Sequence, residues 1–326
     1  MSAFPIGSLP ERRARRSFQR GLSLIELMIA MLLGLLVVGS AVGAFLSNQR
    51  TYRATESLSR VQENARAAFE LMAREVREAG GNACSNGVPI VNVLSVGSTW
   101  WSDLGNGVVG YENGALAGTA AGTDAIDLLS ATNGGVVIDT ASNPNAANLK
   151  VNTSDHGFET GDILIVCDYT QGSIFQVTGN PSSMTIGHNT GGGNCTKGLG
   201  VPLICDGGNG TPKSYAPNSV VAKLEAARWF VADNGRGGRS LYRVAMDKGN
   251  PAGQSEEIAE GVQDMQVEYL LNGSVNYVPA AAGLDWSQVV AAKIALQVEG
   301  PGREGTDGQA LQRDIEHVVN LRNRTL

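Results

Sequence analysis

The residues of this chain whose types and spacing suit chemistry are four cysteines, three histidines, two loops rich in glycine and asparagine, and one carboxylate inside an apolar run. Cys84, Cys167, Cys195 and Cys205 all lie C-terminal to that run, and an even number there fits disulfides in an oxidising compartment. A metal site needs tighter ligand spacing. Cys195 and Cys205 stand ten apart, no C-x-x-C occurs, and only His156, His188 and His317 could add ligands. Four cysteines allow three connectivities; the expected one is Cys195–Cys205, closing a short loop, with Cys84–Cys167 tying the end of a long helix to a strand. Asp155-His156 and His188-Asn189 lack a Ser-His-Asp set or a paired-histidine motif, so no catalytic residue is assigned and no enzyme activity is expected. The loop Asn189 to Asn194 (NTGGGN) lacks the Lys-Ser/Thr of a phosphate loop. The cluster from Asp206 to Gly210 lacks the bidentate Glu that ends a calcium loop. No metal and no cofactor is expected.

The carboxylate is Glu26. It is the only charged residue from Leu22 to Leu46, a run that as a helix spans roughly 37 Å, enough for a hydrocarbon core of about 30 Å. Arg12, Arg13, Arg15, Arg16 and Arg20 precede the run, so the positive-inside bias leaves the N-terminus in the cytoplasm and the body outside. A secretory signal peptide is the simpler alternative. The run is too long for an apolar region of about 7–15 residues, and no A-x-A-like cleavage site follows it. A plain membrane anchor is a second alternative, and Glu26 opposes it. A carboxylate near a bilayer centre costs about 2.5–3.5 kcal/mol on insertion scales, less near the edge. Such a group needs a partner, and cleavage just before Leu22 would create a positive one.

Gly21-Leu22-Ser23-Leu24-Ile25-Glu26-Leu27-Met28 resembles the class III signal of type IV prepilins and type II secretion pseudopilins. The resemblance implies that a prepilin peptidase cuts after Gly21 on the cytoplasmic side and methylates the new amine of Leu22. It implies that Glu26, fifth after the cut, is the filament-assembly residue. Leu22 stands where the family usually has phenylalanine, and the position stays apolar.

The elements follow. Leu58, Val61, Ala65, Phe69, Met72 and Val76 recur at helical spacing, with Arg60, Glu63, Arg66, Glu70, Arg74 and Glu75 on the wet side. Gly80-Gly81 is the expected stop. One helix over 22–80 therefore leads into a β-rich body over 81–326. Strands are expected over 88–96, 124–129, 161–166, 174–178, 226–232, 240–246, 265–271 and 294–298, with DNGRGG and Asn272-Gly273 as hairpin turns. Without a strand–helix–strand rhythm, the fold class is α+β, with one long helix on mainly antiparallel strands. The stretch 182–214 reads as a surface excursion stapled by a disulfide. The formal net charge is −6, and removal of 1–21 leaves 20 basic against 30 acidic residues. That balance excludes general binding of nucleic acid.

RWFVADNGRGGRSLYR (Arg228 to Arg243), EEIAEGVQDMQVEYLLNG (Glu256 to Gly273), WSQVVAAKIALQVEG (Trp286 to Gly300) and HVVNLRNR (His317 to Arg324) resemble the PilW type of minor pilin. GTDAIDLLS (Gly122 to Ser130) and GDILIVCDYTQGSIFQVT (Gly161 to Thr178) fit it less distinctively. The J-type pseudopilin of type II secretion is a related alternative, and a pilus-tip binding or adhesin module is another. The resemblance implies a pilin-like fold, bacterial inner-membrane insertion followed by entry into a pilus, and partners among other minor pilins, the major pilin, the prepilin peptidase and the inner-membrane assembly platform. It implies a priming or tip complex that supports twitching motility, adhesion or DNA uptake.

Overall fold

A computed structural model describes residues 23–81, 84, 88–95, 99–102, 106–181, 184–248, 250–300, 302 and 308–324. Two compact units divide the chain, Met1–Arg53 and Ala54–Leu326. The helix α1 (Leu24–Glu78, 55 residues) contributes to both.

In the first unit every described residue is exposed, including Leu24, Met28, Leu32 and Leu35. A helix apolar on all sides suits a lipid or protein environment rather than water. Within the apolar run Ser40 Oγ donates to Leu36 O, and beyond it Thr51 Oγ1 donates to Ser47 O.

In the second unit one stripe of α1 is buried, Ala65, Ala68, Met72, Ala73 and Val76, and Ala79 just past its end continues it. Four alanines among these six let the helix backbone approach the body closely. Phe69 is half-buried and packs on His317, with ring centroids 4.1 Å apart and the rings tilted by 32°. The side chains of Leu58 and Val61, also expected on this stripe, lie outside the described residues. Gly80 ends the helix at φ 70°, a left-handed conformation that glycine adopts without steric cost. Its N–H donates to Leu129 O at 2.9 Å.

The strands in chain order are β1 (Ile90–Asn92), β2 (Val108–Tyr111), β3 (Ala125–Thr132), β4 (Asn148–Lys150), β5 (Ile163–Cys167), β6 (Gly172–Gln176) and β7 (Thr185–Gly187). They continue with β8 (Val220–Asp233), β9 (Arg239–Asp247), β10 (Asn250–Glu260), β11 (Val262–Leu271), β12 (Tyr277–Pro279), β13 (Val289–Glu299) and β14 (Gln312–Asn320). Eight form one sheet along the path β1-β6-β5-β8-β3-β2, with β9 on β8 and β10 on β9. Four form a second sheet in the order β12-β11-β13-β14, and β4 pairs with β7. All of these pairings are antiparallel except β1 with β6.

Three apolar clusters hold the second unit together. The first joins the α1 stripe to β3, β8, β11 and β13 through Trp229, Met265, Tyr269 and Ile294. The other two occupy opposite faces of β5: Leu164 and Val166 point into one, Ile163 and Ile165 into the other. Burial on both faces explains why β5 reads as an unbroken apolar run rather than an alternating one.

Several expectations are corrected. Within the described part of the strand expected over 88–96, the strand covers Ile90–Asn92, and Leu94 adds an isolated bridge to Asn194. Glu75, expected on the wet side, faces the sheet. The stretch 182–214 is a surface excursion only in part, since Ile186, His188, Asn194, Thr196 and Leu199 are buried. Strand β10 was not expected; its Ser255, Glu256 and Glu257 are exposed and it pairs only with β9, so an edge position removes any need for an apolar face.

Candidate functional site

Gly21 and Leu22 lie outside the described residues, so the first position seen near the expected cut is Ser23. Ser23 caps α1. Its Oγ accepts from the Glu26 N–H at 3.2 Å. In return Glu26 Oε2 accepts from the Ser23 N–H at 3.0 Å and from Ser23 Oγ at 3.2 Å. The first helical backbone bond, from Leu27 N–H to Ser23 O at 3.2 Å, closes the turn. This is a reciprocal capping box, which satisfies two backbone donors that a helix start leaves orphaned. The Ser-x-x-Glu spacing announces it in the sequence. The role expected for Glu26 lies between subunits, whereas this one lies within the chain.

The cysteines are paired Cys84–Cys167, with Cα atoms 5.6 Å apart, and Cys195–Cys205, at 4.9 Å. The histidines are not brought together. His188 is buried beside Phe175, and burial lowers its pKa to about 4. His156 Nδ1 accepts from the Phe158 N–H, and His317 packs on Phe69. Asn194, in the glycine-rich loop, uses its amide as a strand would: Oδ1 accepts from Gln176 N–H and Nδ2 donates to Gln176 O. Asp206 is occupied by the Gly208 and Gly210 N–H groups, which lower its pKa. Among the described residues no three of His, Cys, Asp and Glu form a group able to hold a metal ion.

The stretch from Arg228 to Arg243 fastens the body to α1. Glu75 Oε2 accepts from the Trp229 ring N–H at 2.6 Å, and Glu75 Oε1 pairs with Arg243 at 2.6 Å. On the opposite face of β8, Arg228 makes two 2.6 Å bonds to the buried carboxylate of Asp127 and lies over the rings of Trp100 and Tyr111. Burial raises the pKa of Asp127, and the bonds from Arg228 oppose it. The turn between β8 and β9 is built by Asn234, whose Oδ1 accepts from Arg236 N–H and Gly238 N–H. The C-terminal residues close on the helix end. Asn323 Nδ2 donates to Glu78 O at 3.4 Å, and Arg324 donates to the carbonyls of Asn106, Trp286 and Val289.

Residues 228–323 match the family described as Type IV Pilus-assembly protein W, and residues 16–42 match the Prokaryotic N-terminal methylation motif. Comparison with curated proteins finds no match. Among solved structures, the Type IV-like pilin TTHA1219 from Thermus thermophilus is similar at 11% identity over 82% of this chain and 98% of that one, with a TM-score of 0.35.

Proposed function

We propose that this chain, whose two matches support a type IV pilus minor pilin of the PilW type, works in pilus assembly as part of a priming or tip complex with other minor pilins. The observation that carries the reading is the joint occurrence, in one chain, of the methylation motif over 16–42 and the assembly-protein match over 228–323. A helix within Leu24–Glu78 long and apolar enough to cross a membrane supports it. In this reading residues 1–21 are a basic leader that prepilin peptidase removes after Gly21, methylating Leu22. Residues 22–80 form the helix whose first half crosses the inner membrane. Residues 81–326 form a periplasmic body, with the insertion around 182–214, until the subunit enters the filament. The major pilin and the assembly platform are further partners. The subunit is structural, not enzymatic, and serves twitching motility, adhesion or DNA uptake. Glu26 pairs with the methylated amine of a neighbouring subunit, which sets axial register as well as attraction.

Mass spectrometry of native membranes tests the processing step. An N-methyl-Leu22 terminus is expected, and Gly21→Leu should block its appearance because the peptidase subsite takes a small residue. Recovery of an intact leader, or a cut C-terminal to Leu46, overturns the reading. Co-purification with other minor pilins tests the assembly role.

A further inference from the structure

We infer that a cleft beside α1 in the second unit is a docking site for a basic, partly apolar segment of a partner protein. The docking site goes beyond the assembly role proposed above and does not depend on it.

The cleft comes from a break in the large sheet. Along one edge of β8 the pairing with β5 ends at Lys223, and the pairing with β9 begins at Ala227. Among the described residues, Leu224, Glu225 and Ala226 between them have a strand partner only on the other edge, in β3. In an antiparallel ladder, opposite residues either bond each other or both turn away. Leu129 bonds to Gly107 O and the Gly80 N–H, and the Ala131 N–H bonds to Gly81 O, so both residues turn away from β8. Their opposites, Ala226 and Leu224, therefore turn their backbone groups away from β3 and toward the break.

The break opens into a cleft of about 560 Å3, walled on one side by Leu71, Arg74 and Glu78 of α1. That volume takes several side chains rather than one ion. Leu71 is 39% exposed and is the only large apolar side chain that α1 exposes in the second unit, among the described residues. Together with Ile163, Leu224 and Met246 it gives the lining an apolar component. Charge selects the partner. The four basic side chains of the cleft are committed: Arg74 to Glu78 at 3.2 Å, Arg243 to Glu75 at 2.6 Å, Lys223 to Asp162 at 2.8 Å and Lys248 to Glu159 at 2.8 Å. Glu225, Asp247 and Glu256 are exposed and have no ion pair among the described residues. An incoming segment thus meets uncommitted carboxylates, an apolar patch and strand backbone that no strand pairs on that side. Lysine or arginine beside an apolar residue, on an extended backbone, complements all three.

Fluorescence anisotropy of the full chain, purified in detergent, tests the site with a labelled hexapeptide of alternating arginine and leucine. Saturable binding is expected, and the same peptide with glutamate for arginine should not bind. Glu225→Gln combined with Glu256→Gln should weaken binding by about three- to tenfold, the ratio expected for loss of two charge pairs near a surface. Asp314→Asn combined with Glu316→Gln, on the exposed strand β14, changes net charge equally outside the cleft and should leave binding unaltered. A photoreactive group on the peptide should mark Leu71 or Met246. Absence of saturable binding, equal weakening by the two double variants, or marking confined to residues outside the cleft would overturn the inference. Displacement of the peptide by spermine as readily as by unlabelled peptide would make the cleft a site for small cations and overturn it too. The titration reads neither leader processing nor filament entry, so its failure leaves the assembly role standing.

Discussion

At Glu75 a single substitution should destabilise the body. Its oxygens accept from the Trp229 ring N–H and from Arg243, and Trp229 is fully buried. Glu75→Ala removes the acceptor and strands both donors, an expected loss of about 2–4 kcal/mol. The check is a lower denaturant midpoint with an unchanged slope. His188 sets an acid limit. Its folded pKa, about 4, lies below the usual histidine value of 6.5, so the folded state binds fewer protons between those values. Stability from this group is therefore complete above about pH 6.5 and falls as pH drops toward 4, by about 2 kcal/mol at pH 5. Melting temperature followed against pH should show that slope, and His188→Asn should flatten it. At Glu26 the expectation concerns assembly rather than folding. Glu26→Ala and Glu26→Gln should leave membrane insertion and leader cleavage intact while entry into the filament drops. Normal piliation and surface motility with both variants at native expression would show that the pairing is not needed.

The two disulfides act on elements rather than on single contacts. Cys84–Cys167 ties the segment after α1 to the end of β5 across a separation of 83 residues, and Cys195–Cys205 closes 10. On the chain-entropy account, losing the longer bridge costs about 4–5 kcal/mol and the shorter about 3. Serine pairs at Cys84/Cys167 and at Cys195/Cys205 should therefore lower thermal stability in that order, and non-reducing peptide mapping should recover the two linked pairs. Elements whose signal is local were readable in the sequence. The β8–β9 hairpin needs positive φ at Gly235 and Gly237, and DNGRGG offers it. The alanine-rich stripe of α1 has helical spacing. Elements defined by what lies beside them were not readable. Strand β10 is polar because it is an edge. Strand β14 exposes most of its residues, since among the described residues its one strand partner is β13. Glu75 looks solvated because Trp229, its partner, lies 154 residues away. At the N-terminus the leader signal was legible from its residue types, whereas the capping box was overlooked although Ser23 and Glu26 have the right spacing.

Charge is a property of the whole molecule, and it predicts what the mature chain avoids. Residues 22–326 hold 20 basic against 30 acidic residues, a balance that opposes counterion release from a phosphate backbone. Titration of the processed chain with duplex DNA at physiological salt is expected to show no sequence-independent binding, so a role in DNA uptake would fall to a local patch or to a partner subunit. The clamp at the end of α1 has a further consequence, which is mechanical. A tug on the helix is borne at once by Leu129 O on Gly80, by Glu75 on β8 and β9, and by Asn323 on Glu78. These anchors come from three stretches far apart in the chain, so loss of one leaves the others in place. Deleting 323–326 should then lower the rupture force of the body under stretching more than it lowers its resting stability. Asn323 and Arg324 would thus act as a strain relief for α1.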